Sequence, residues 1–470
     1  MSERFEIVSP VDGSIYTTLP YADDSMVDAA VSRGHAAQRD WCRTDLETRA
    51  ARCRAFVDAM NRKRGEIAVE LAWLMGRPVR FGPAEVTRLG ERATHMIAIA
   101  QQSLAPIEIA AGDAVVRRIR REPVGLVLIV APWNYPYLTA VNAIVPALMA
   151  GNAVILKHAS QTSPCGDRFA TAFAEAGLPD GLFQSVRMSH AAIDRIISQK
   201  KVDFVAFTGS VPAGSAVEQS AAGRFIGVAL ELGGKDPAYV RPVAPLEATA
   251  EALVDGVFFN SGQSCCAVER IYVHKAVYAR FVDLFVDVTR ATQRLGNPLD
   301  PQTTLGPVVS AVAAAGIRSK IAEAVADGAR PLLSTTEFPA ATPEGPYVAP
   351  QVLTEVHHRM SVMREETFGP AVGIMRVSSD EEAIAVMNDS HYGLTASVWT
   401  ADLDAGLSLG DRIETGTCFV NRCDYLDPAL AWVGVKDSGR GCSLSSLGYS
   451  QLTRPKSFYG RVLSGAPSST

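Results

Sequence analysis

No charged residue occurs between Val124 and Leu156. A run this apolar belongs either in a membrane or in the interior of a large fold. A membrane-spanning helix needs about 20 mainly apolar residues without interruption. This run is broken by Pro132, Asn134, Pro136, Asn142, Pro146, Gly151 and Asn152. It reads as a strand over 124–130, a loop, a helix over 137–149 and a second strand over 153–157. The alternation continues with a helix over 167–176, a strand over 204–207 and a further helix after Gly214. Strands alternating with helices give right-handed βαβ units and a parallel sheet. The crevice at the carboxyl ends of such strands is where a nucleotide is expected. The fold class is therefore α/β.

Residues 24–60 and 64–75 read as amphipathic helices, with Ala29, Ala30, Ala36, Ala37 and Trp41 near helical spacing. A second α/β unit is expected from 231 to 418, with helices near 246–256 and 276–292. Its strands are expected near 226–230, 270–274, 372–376 and 395–399. Residues 331–350, rich in Pro, Thr and Ala, read as an exposed loop. The basic segment 114–121 reads as a solvated strand or subunit contact rather than a nucleic-acid arm. The Ser- and Gly-rich residues 461–470 are expected to fray.

Composition closes off several classes. The 470 residues suffice for two or three domains, and 47% hydrophobic with 20% charged residues suits a soluble enzyme. A net charge of −5 gives no reason to expect a nucleic-acid or acidic-membrane partner. Eight cysteines, two of them adjacent, do not resemble a disulfide framework. There is no Cys-x-x-Cys and no His-x-x-x-His, so no metal is expected. The start, Met1-Ser2-Glu3-Arg4-Phe5-Glu6-Ile7, is charged at once, unlike a signal peptide. A cytoplasmic location is expected.

Two motifs carry reactive groups. Cys265 lies in Asn260-Ser261-Gly262-Gln263-Ser264-Cys265-Cys266, and Glu231 opens Glu231-Leu232-Gly233-Gly234-Lys235. Catalysis through an acyl-enzyme needs a thiolate to attack and a base to activate the releasing water. Asn134, between Pro132 and Pro136, either donates to a developing oxyanion or caps the following helix. Lys157-His158-Ala159-Ser160 either holds a nucleotide or is a solvated strand end. Gly209-Ser210 lacks the Gly-x-Gly-x-x-Gly fingerprint, so it is either a pyrophosphate cradle or a structural turn. Glu365-Glu366-Thr367-Phe368 either sits in a solvated turn or presents a carboxylate to a sugar diol and a ring to a flat ligand.

Together these segments resemble the aldehyde dehydrogenase superfamily. The matching motifs run in the family order. They are Pro132-Trp133-Asn134, Lys157, Phe207-Thr208-Gly209-Ser210, Glu231-Leu232-Gly233-Gly234, Gly262-Gln263-Ser264-Cys265, Glu366-Thr367-Phe368-Gly369-Pro370 and Gly434-Val435-Lys436-Asp437-Ser438-Gly439-Arg440-Gly441. The resemblance implies a Rossmann-like cofactor domain over 1–103 and 123–230 and a catalytic α/β domain over 231–420. It also implies a small β oligomerisation arm, over 104–122 and 440–465, and a homodimer or homotetramer. The implied reaction oxidises an aldehyde to the carboxylic acid with NAD or NADP. Cys265 attacks the aldehyde, the Cys265 amide and Asn134 hold the oxyanion, and Glu231 activates water against the thioester. A free thiol has a pKa of about 8.5, so few thiols are ionised at neutral pH unless the site intervenes. The cofactor would meet Trp133, Lys157, Ser160, Gly209, Ser210, Glu366 and Phe368. The substrate tunnel would be lined by Tyr135, Thr139, Asn142, Ser264, Cys266, Tyr425 and Leu426. Cys266 is expected to be a packed small side chain rather than a second nucleophile.

Three departures from the family pattern bear on specificity. Ser160 stands where a glutamate often grips the ribose, and its neutrality implies that NADP is accepted. The loop after Pro179-Asp180-Gly181 is shortened to Met188-Ser189-His190-Ala191. Ala431-Trp432-Val433-Gly434 replaces Pro-Phe-Gly-Gly near the substrate mouth. Thr139 and Asn142 imply a polar or functionalised aldehyde. No arginine clamp for a distal carboxylate is evident in these segments, although Arg422 lies in the right loop. Rival readings are a CoA-acylating relative, which would tend to lack Glu231, and a catalytically silent binding or structural relative. A cysteine hydrolase would need a histidine partner, and no recognisable motif supplies one.

Overall fold

The computed structural model describes residues 3–111 and 114–463. Two parallel sheets organise the chain. The first has six strands in the order Gly439–Arg440, Gly227–Glu231, Phe204–Thr208, Leu126–Ala131, Ala153–His158 and Phe183–Ser185. All are parallel except the two-residue edge Gly439–Arg440. Every residue of Leu126–Ala131 and Ala153–His158 is buried, as both-face coverage by helices requires. The uncharged run thus forms two central strands and the helix Pro136–Met149 between them. Chain order reverses between Leu126–Ala131 and Phe204–Thr208, and ligands of open α/β sheets settle at such a switch point.

The second sheet has seven strands and runs Arg330–Pro331, Gln351–Thr354, Ala371–Val377, Val268–His274, Asp236–Val240, Thr395–Trp399, Thr417–Val420. Only its first strand is antiparallel. A third, three-stranded sheet joins Ile107–Glu108, Val115–Pro123 and Thr453–Arg461. The basic segment is its central strand, largely exposed. Residues 443–452 do not belong to that sheet; Leu444, Tyr449 and Leu452 are buried in the core of the first lobe. The end of the arm at 464–465 and most of the expected frayed tail lie outside the described residues.

Several expectations need correction. The stretch 24–60 is two helices, Asp24–Trp41 and Leu46–Arg62, because Asp45 caps the second by accepting from the Thr48 amide. The strand near 226–230 belongs to the first sheet, not the second, since Gly227–Glu231 pairs with Phe204–Thr208. The segment 331–350 is not simply exposed: Leu333, Phe338, Val348 and Ala349 are buried. The helix Gly82–Ser103, which was not anticipated, packs against Pro136–Met149.

Candidate active site

Cys265 is held by a short loop in an unusual conformation. Asn260, Ser261 and Gly262 are consecutive left-handed residues, with φ of 53°, 58° and 71°. Such a conformation costs about 1–3 kcal/mol per non-glycine residue and persists only where its surroundings fix it. They do here. Arg77 Nε donates to Asn260 Oδ1 at 3.1 Å, and Asn260 Nδ2 donates to the carbonyls of Asn134 and Gln263, each at 3.2 Å. Ser261 Oγ donates to the Gly306 carbonyl at 2.8 Å, and Gln263 Oε1 accepts from the Val309 amide at 2.7 Å. A side chain at Gly262 would run into the backbone of Gly369. From residue 260 to 273, Cys265 alone is not buried.

Arg77 also reaches the Asn134 carbonyl through Nη2 at 2.5 Å and lies 4.5 Å from the centre of the Tyr135 ring. Its charge is paired with Glu85, and Glu85 Oε1 accepts from the Tyr137 amide at 2.9 Å, at the start of Pro136–Met149. The Asn134 side chain does not cap that helix; Nδ2 donates to the Gln263 carbonyl at 3.1 Å. Asn134 and the Cys265 loop are therefore in direct contact.

Glu231 is the last residue of Gly227–Glu231, paired with Thr208 on one side and Gly439 on the other. Ser443 Oγ donates to its Oε1, and Thr208 Oγ1 donates to its Oε2 at 3.3 Å. Burial raises its pKa, against these hydrogen bonds, which favours a carboxyl able to take up a proton.

Cys265 and Glu231 line one narrow cavity of about 70 Å³. All seven sequence-predicted tunnel residues line it as well: Tyr135, Thr139, Asn142, Ser264, Cys266, Tyr425 and Leu426. Thr139 Oγ1 is taken by the Tyr135 carbonyl at 2.8 Å, within its own helix. Ser264 Oγ and Cys266 Sγ both donate to Asp424 Oδ1 at 3.0 Å. Contact with the Cys265 thiol, then burial, pushes the Cys266 thiol well above its ordinary pKa, so it stays a packed thiol. Burial likewise raises Asp424. Arg422 stacks 4.1 Å from the centre of the Tyr425 ring.

Sequence reasoning missed Asp424, Thr208, Arg88 and Arg92 in this cavity. Arg92 has a sequence signal. It interrupts the apolar stripe of Val86, Leu89, Ala93 and Met96, so a helix there carries its guanidinium inward.

A second crevice of about 870 Å³, sharing Thr208 with the first cavity, opens at the switch point of the first sheet. Trp133, Lys157, Gly209 and Ser210 line it, with His190 and Ala191 of the shortened loop. The crevice fits a dinucleotide. Ser210 stands at the N-terminus of Val211–Ala221 without a side-chain cap; Pro212 has no N–H, which leaves the Val211 and Ala213 amides open to a pyrophosphate. A Cβ on Gly209 would come within 2.7 Å of the Phe207 ring. Lys157 is 6% exposed, and burial lowers its pKa. Ser160 does not line the crevice; it adjoins the lining Ala159 and lies 3.4 Å from the Tyr21 hydroxyl.

Glu366 and Phe368 stand apart from that lining. Glu366 Oε1 accepts from the Gly234 amide at 3.0 Å, and burial pushes its pKa up to about 7. Phe368 sets its ring edge-on to Trp133, with centroids 5.6 Å apart. Their loop is fixed by a buried pair that sequence reasoning missed. Lys235 Nζ lies 2.5 Å from Glu269 Oε2, and the two oxygens of Glu269 accept from the amides of Thr367 and Phe368 at 2.7 and 2.8 Å. Among the described residues no cluster could hold a metal, and no helix is long and apolar enough to cross a membrane.

The family model described as "Aldehyde dehydrogenase family" matches residues 1–458. A succinate-semialdehyde dehydrogenase [NADP(+)] of Mycobacterium bovis is 33% identical over 454 residues, covering 96% of this chain and 98% of that protein. The crystal structure of an NAD-dependent aldehyde dehydrogenase from Sinorhizobium meliloti superposes with a TM-score of 0.94 at 30% identity, covering 100% of this chain and 93% of that one. An NADP-dependent glyceraldehyde-3-phosphate dehydrogenase from Bacillus halodurans, complexed with NADP, gives 0.92 at 30% identity, covering 98% and 96%.

Proposed function

The chain belongs to the aldehyde dehydrogenase family, and from that premise we propose how its own residues oxidise an aldehyde to the carboxylic acid with NAD or NADP. Cys265 is the nucleophile. Its sulfur adds to the aldehyde carbon, and the oxyanion takes hydrogen bonds from Asn134 Nδ2 and the Cys265 amide. When bound, the nicotinamide is the hydride acceptor. The resulting thioester on Cys265 is opened by water, whose proton passes to Glu231. The single observation that carries this reading is the shared cavity: Cys265, Glu231 and all seven expected tunnel residues line it. Glu231 favours water over coenzyme A as the acyl acceptor.

Lys157, with Trp133, Gly209 and Ser210, holds the adenosine side and pyrophosphate of the cofactor. Glu366 takes the nicotinamide ribose, and Phe368 packs on the ring. NADP is accepted because Ser160 carries no charge. A carboxylate about 5 Å from the 2′-phosphate would cost about 3 kcal/mol at an effective dielectric near 20. The lobes divide the work as a cofactor domain over 1–103 and 123–230 and a catalytic domain over 231–420.

The three-stranded sheet is an oligomerisation arm, and the protein is a homodimer or homotetramer working in the cytoplasm. The support is the open edge strand Thr453–Arg461, on which Tyr459 is 71% exposed, since free edges invite pairing. Light scattering after gel filtration tests the arm, and a monomer rejects it. The reaction is tested by reduced-cofactor absorbance on adding aldehydes to the enzyme with either cofactor. Turnover that survives Cys265→Ala refutes the assignment of the nucleophile.

A further inference from the structure

Arg92 is a buried arginine that lines the cavity of Cys265. It is 8% exposed, inside the helix Gly82–Ser103. Its Nη1 donates to the Leu138 carbonyl at 3.0 Å and to Asn142 Oδ1 at 3.2 Å. Both acceptors belong to Pro136–Met149, so the guanidinium is fixed against the wall of the substrate cavity. Its Nε and Nη2 have no acceptor among the described residues, neither is sealed from solvent, and Arg92 lines the cavity that holds Cys265. Among the described residues it forms no ion pair.

A buried cation without a paired anion is costly, and an arriving anion offsets that cost. Other buried arginines of this protein are satisfied internally. Arg77 is paired with Glu85, and Arg270 donates to the carbonyls of Lys235, Val386 and Met387. Arg92 keeps donors free, in the cavity that holds Cys265. Arg88, one helical turn earlier and exposed, lines the same cavity and adds a second positive charge.

Glu231 lies near enough for its charge to favour the protonated Arg92, but neither it nor Asp424 forms a hydrogen bond or ion pair with Arg92 among the described residues. Glu231 is held by Ser443 and Thr208, and Asp424 by Ser264 and Cys266. Glu91 is exposed. Arg92 stays protonated at neutral pH even though burial brings it down to about 10.

We propose that Arg92 binds a carboxylate at the far end of the substrate, so that the preferred substrates are short ω-oxo carboxylates. The free Nε and Nη2 present a planar fork, the geometry that takes both oxygens of a carboxylate. Asn142 holds the guanidinium still, and the small cavity limits the chain between carboxylate and aldehyde. This inference rests on the aldehyde-oxidising reading of the same cavity.

The test uses the enzyme with saturating NADP+ or NAD+, whichever it reduces. Matched pairs of aldehydes are compared: 3-oxopropanoate with 3-methylbutanal, 4-oxobutanoate with 4-methylpentanal, and 5-oxopentanoate with 5-methylhexanal. Each pair shares its shape and differs in the charged end. The expected result is a kcat/KM ratio of about thirtyfold or more for at least one acid over its neutral partner, as charge-assisted hydrogen bonds allow. In Arg92→Met that ratio collapses through the KM of the oxo acid, and Arg92→Lys restores part of it. A wild-type ratio near one in all three pairs overturns the proposal while leaving aldehyde oxidation intact. A high ratio that survives Arg92→Met moves the carboxylate site elsewhere and also overturns it. No cofactor reduction with any aldehyde refutes the underlying reaction instead. Should Arg92→Met not fold, Arg92→Lys and the wild-type ratio decide.

Discussion

The side-chain amide of Asn134 donates to the backbone carbonyl of Gln263 at 3.1 Å. Two segments far apart in the chain thereby meet two residues before Cys265. In Asn134→Ala the oxyanion loses one donor, and kcat is expected to fall by about 10²–10³. The measurement is steady-state kinetics alongside a thermal melt. Loss of kcat with an unchanged melt supports the oxyanion role; a collapsed melt shifts the role to scaffolding.

Glu231→Gln separates the two halves of the reaction. Acylation needs no base at that position, so a rapid burst of reduced cofactor of about one per active site is expected, followed by turnover slowed by about 10²–10⁴. Stopped-flow absorbance reads both phases. A variant that loses the burst along with the steady rate would place Glu231 in activation of the thiol instead.

Glu366 gives a pH signature. Burial holds its pKa near 7, above the ordinary 4.5. An ionised carboxylate accepts ribose hydroxyls better, so KM for the cofactor should fall as pH rises through about 7. Folding takes up a proton on this group between about 4.5 and 7, so its contribution to stability declines as pH climbs through that window. Both slopes should flatten in Glu366→Gln, read by cofactor KM and by urea melts across pH.

Lys235 and Glu269 form a buried pair at 2.5 Å, and Glu269 also fixes the Thr367 and Phe368 amides. Removing one partner leaves an uncompensated buried charge, at a cost of about 3–5 kcal/mol. Glu269→Ala should lower the urea midpoint and raise cofactor KM by loosening the Phe368 loop. An unchanged midpoint would mean the lysine has neutralised itself.

Ser160→Glu should turn the protein toward NAD+, by about a hundredfold in the ratio of kcat/KM values if the 2′-phosphate comes near. Because Ser160 adjoins the crevice and faces Tyr21, an unchanged ratio would show that the phosphate lies elsewhere.

The groups of the proposed reaction were singled out in the sequence because each lies in a short contiguous motif, and the fold brings Cys265 and Glu231 to one cavity. Cys265 and Glu231 each sit at a glycine-containing turn whose local chemistry suggests their use. The tunnel residues came from the family resemblance; Thr139, Asn142, Tyr425 and Leu426 lie outside the matching motifs. Arg92 and the Lys235–Glu269 pair were not legible, because their meaning comes from partners far along the chain. Arg92 depends on Leu138 and Asn142, and Glu269 on Thr367. The strand at 226–230 shows the same limit. Its residues announce burial, but only pairing with Phe204–Thr208 decides its sheet. The break at residues 42–45 was written locally, in the Asp45 cap ahead of Thr48, and the apolar rhythm on both sides concealed it.

Glu231 ends a strand of the six-stranded sheet, while Cys265 sits in the loop leading to Val268–His274 of the seven-stranded sheet. The proposed nucleophile and the proposed proton acceptor are thus mounted on separate frameworks. Drift in the second framework alters how the thiol meets its carbonyl without moving the carboxylate. Drift in the first alters how the acyl group is let go without moving the thiol. Capture and release can be tuned one at a time by changes remote from both, a freedom that would be lost if a single loop carried the two groups.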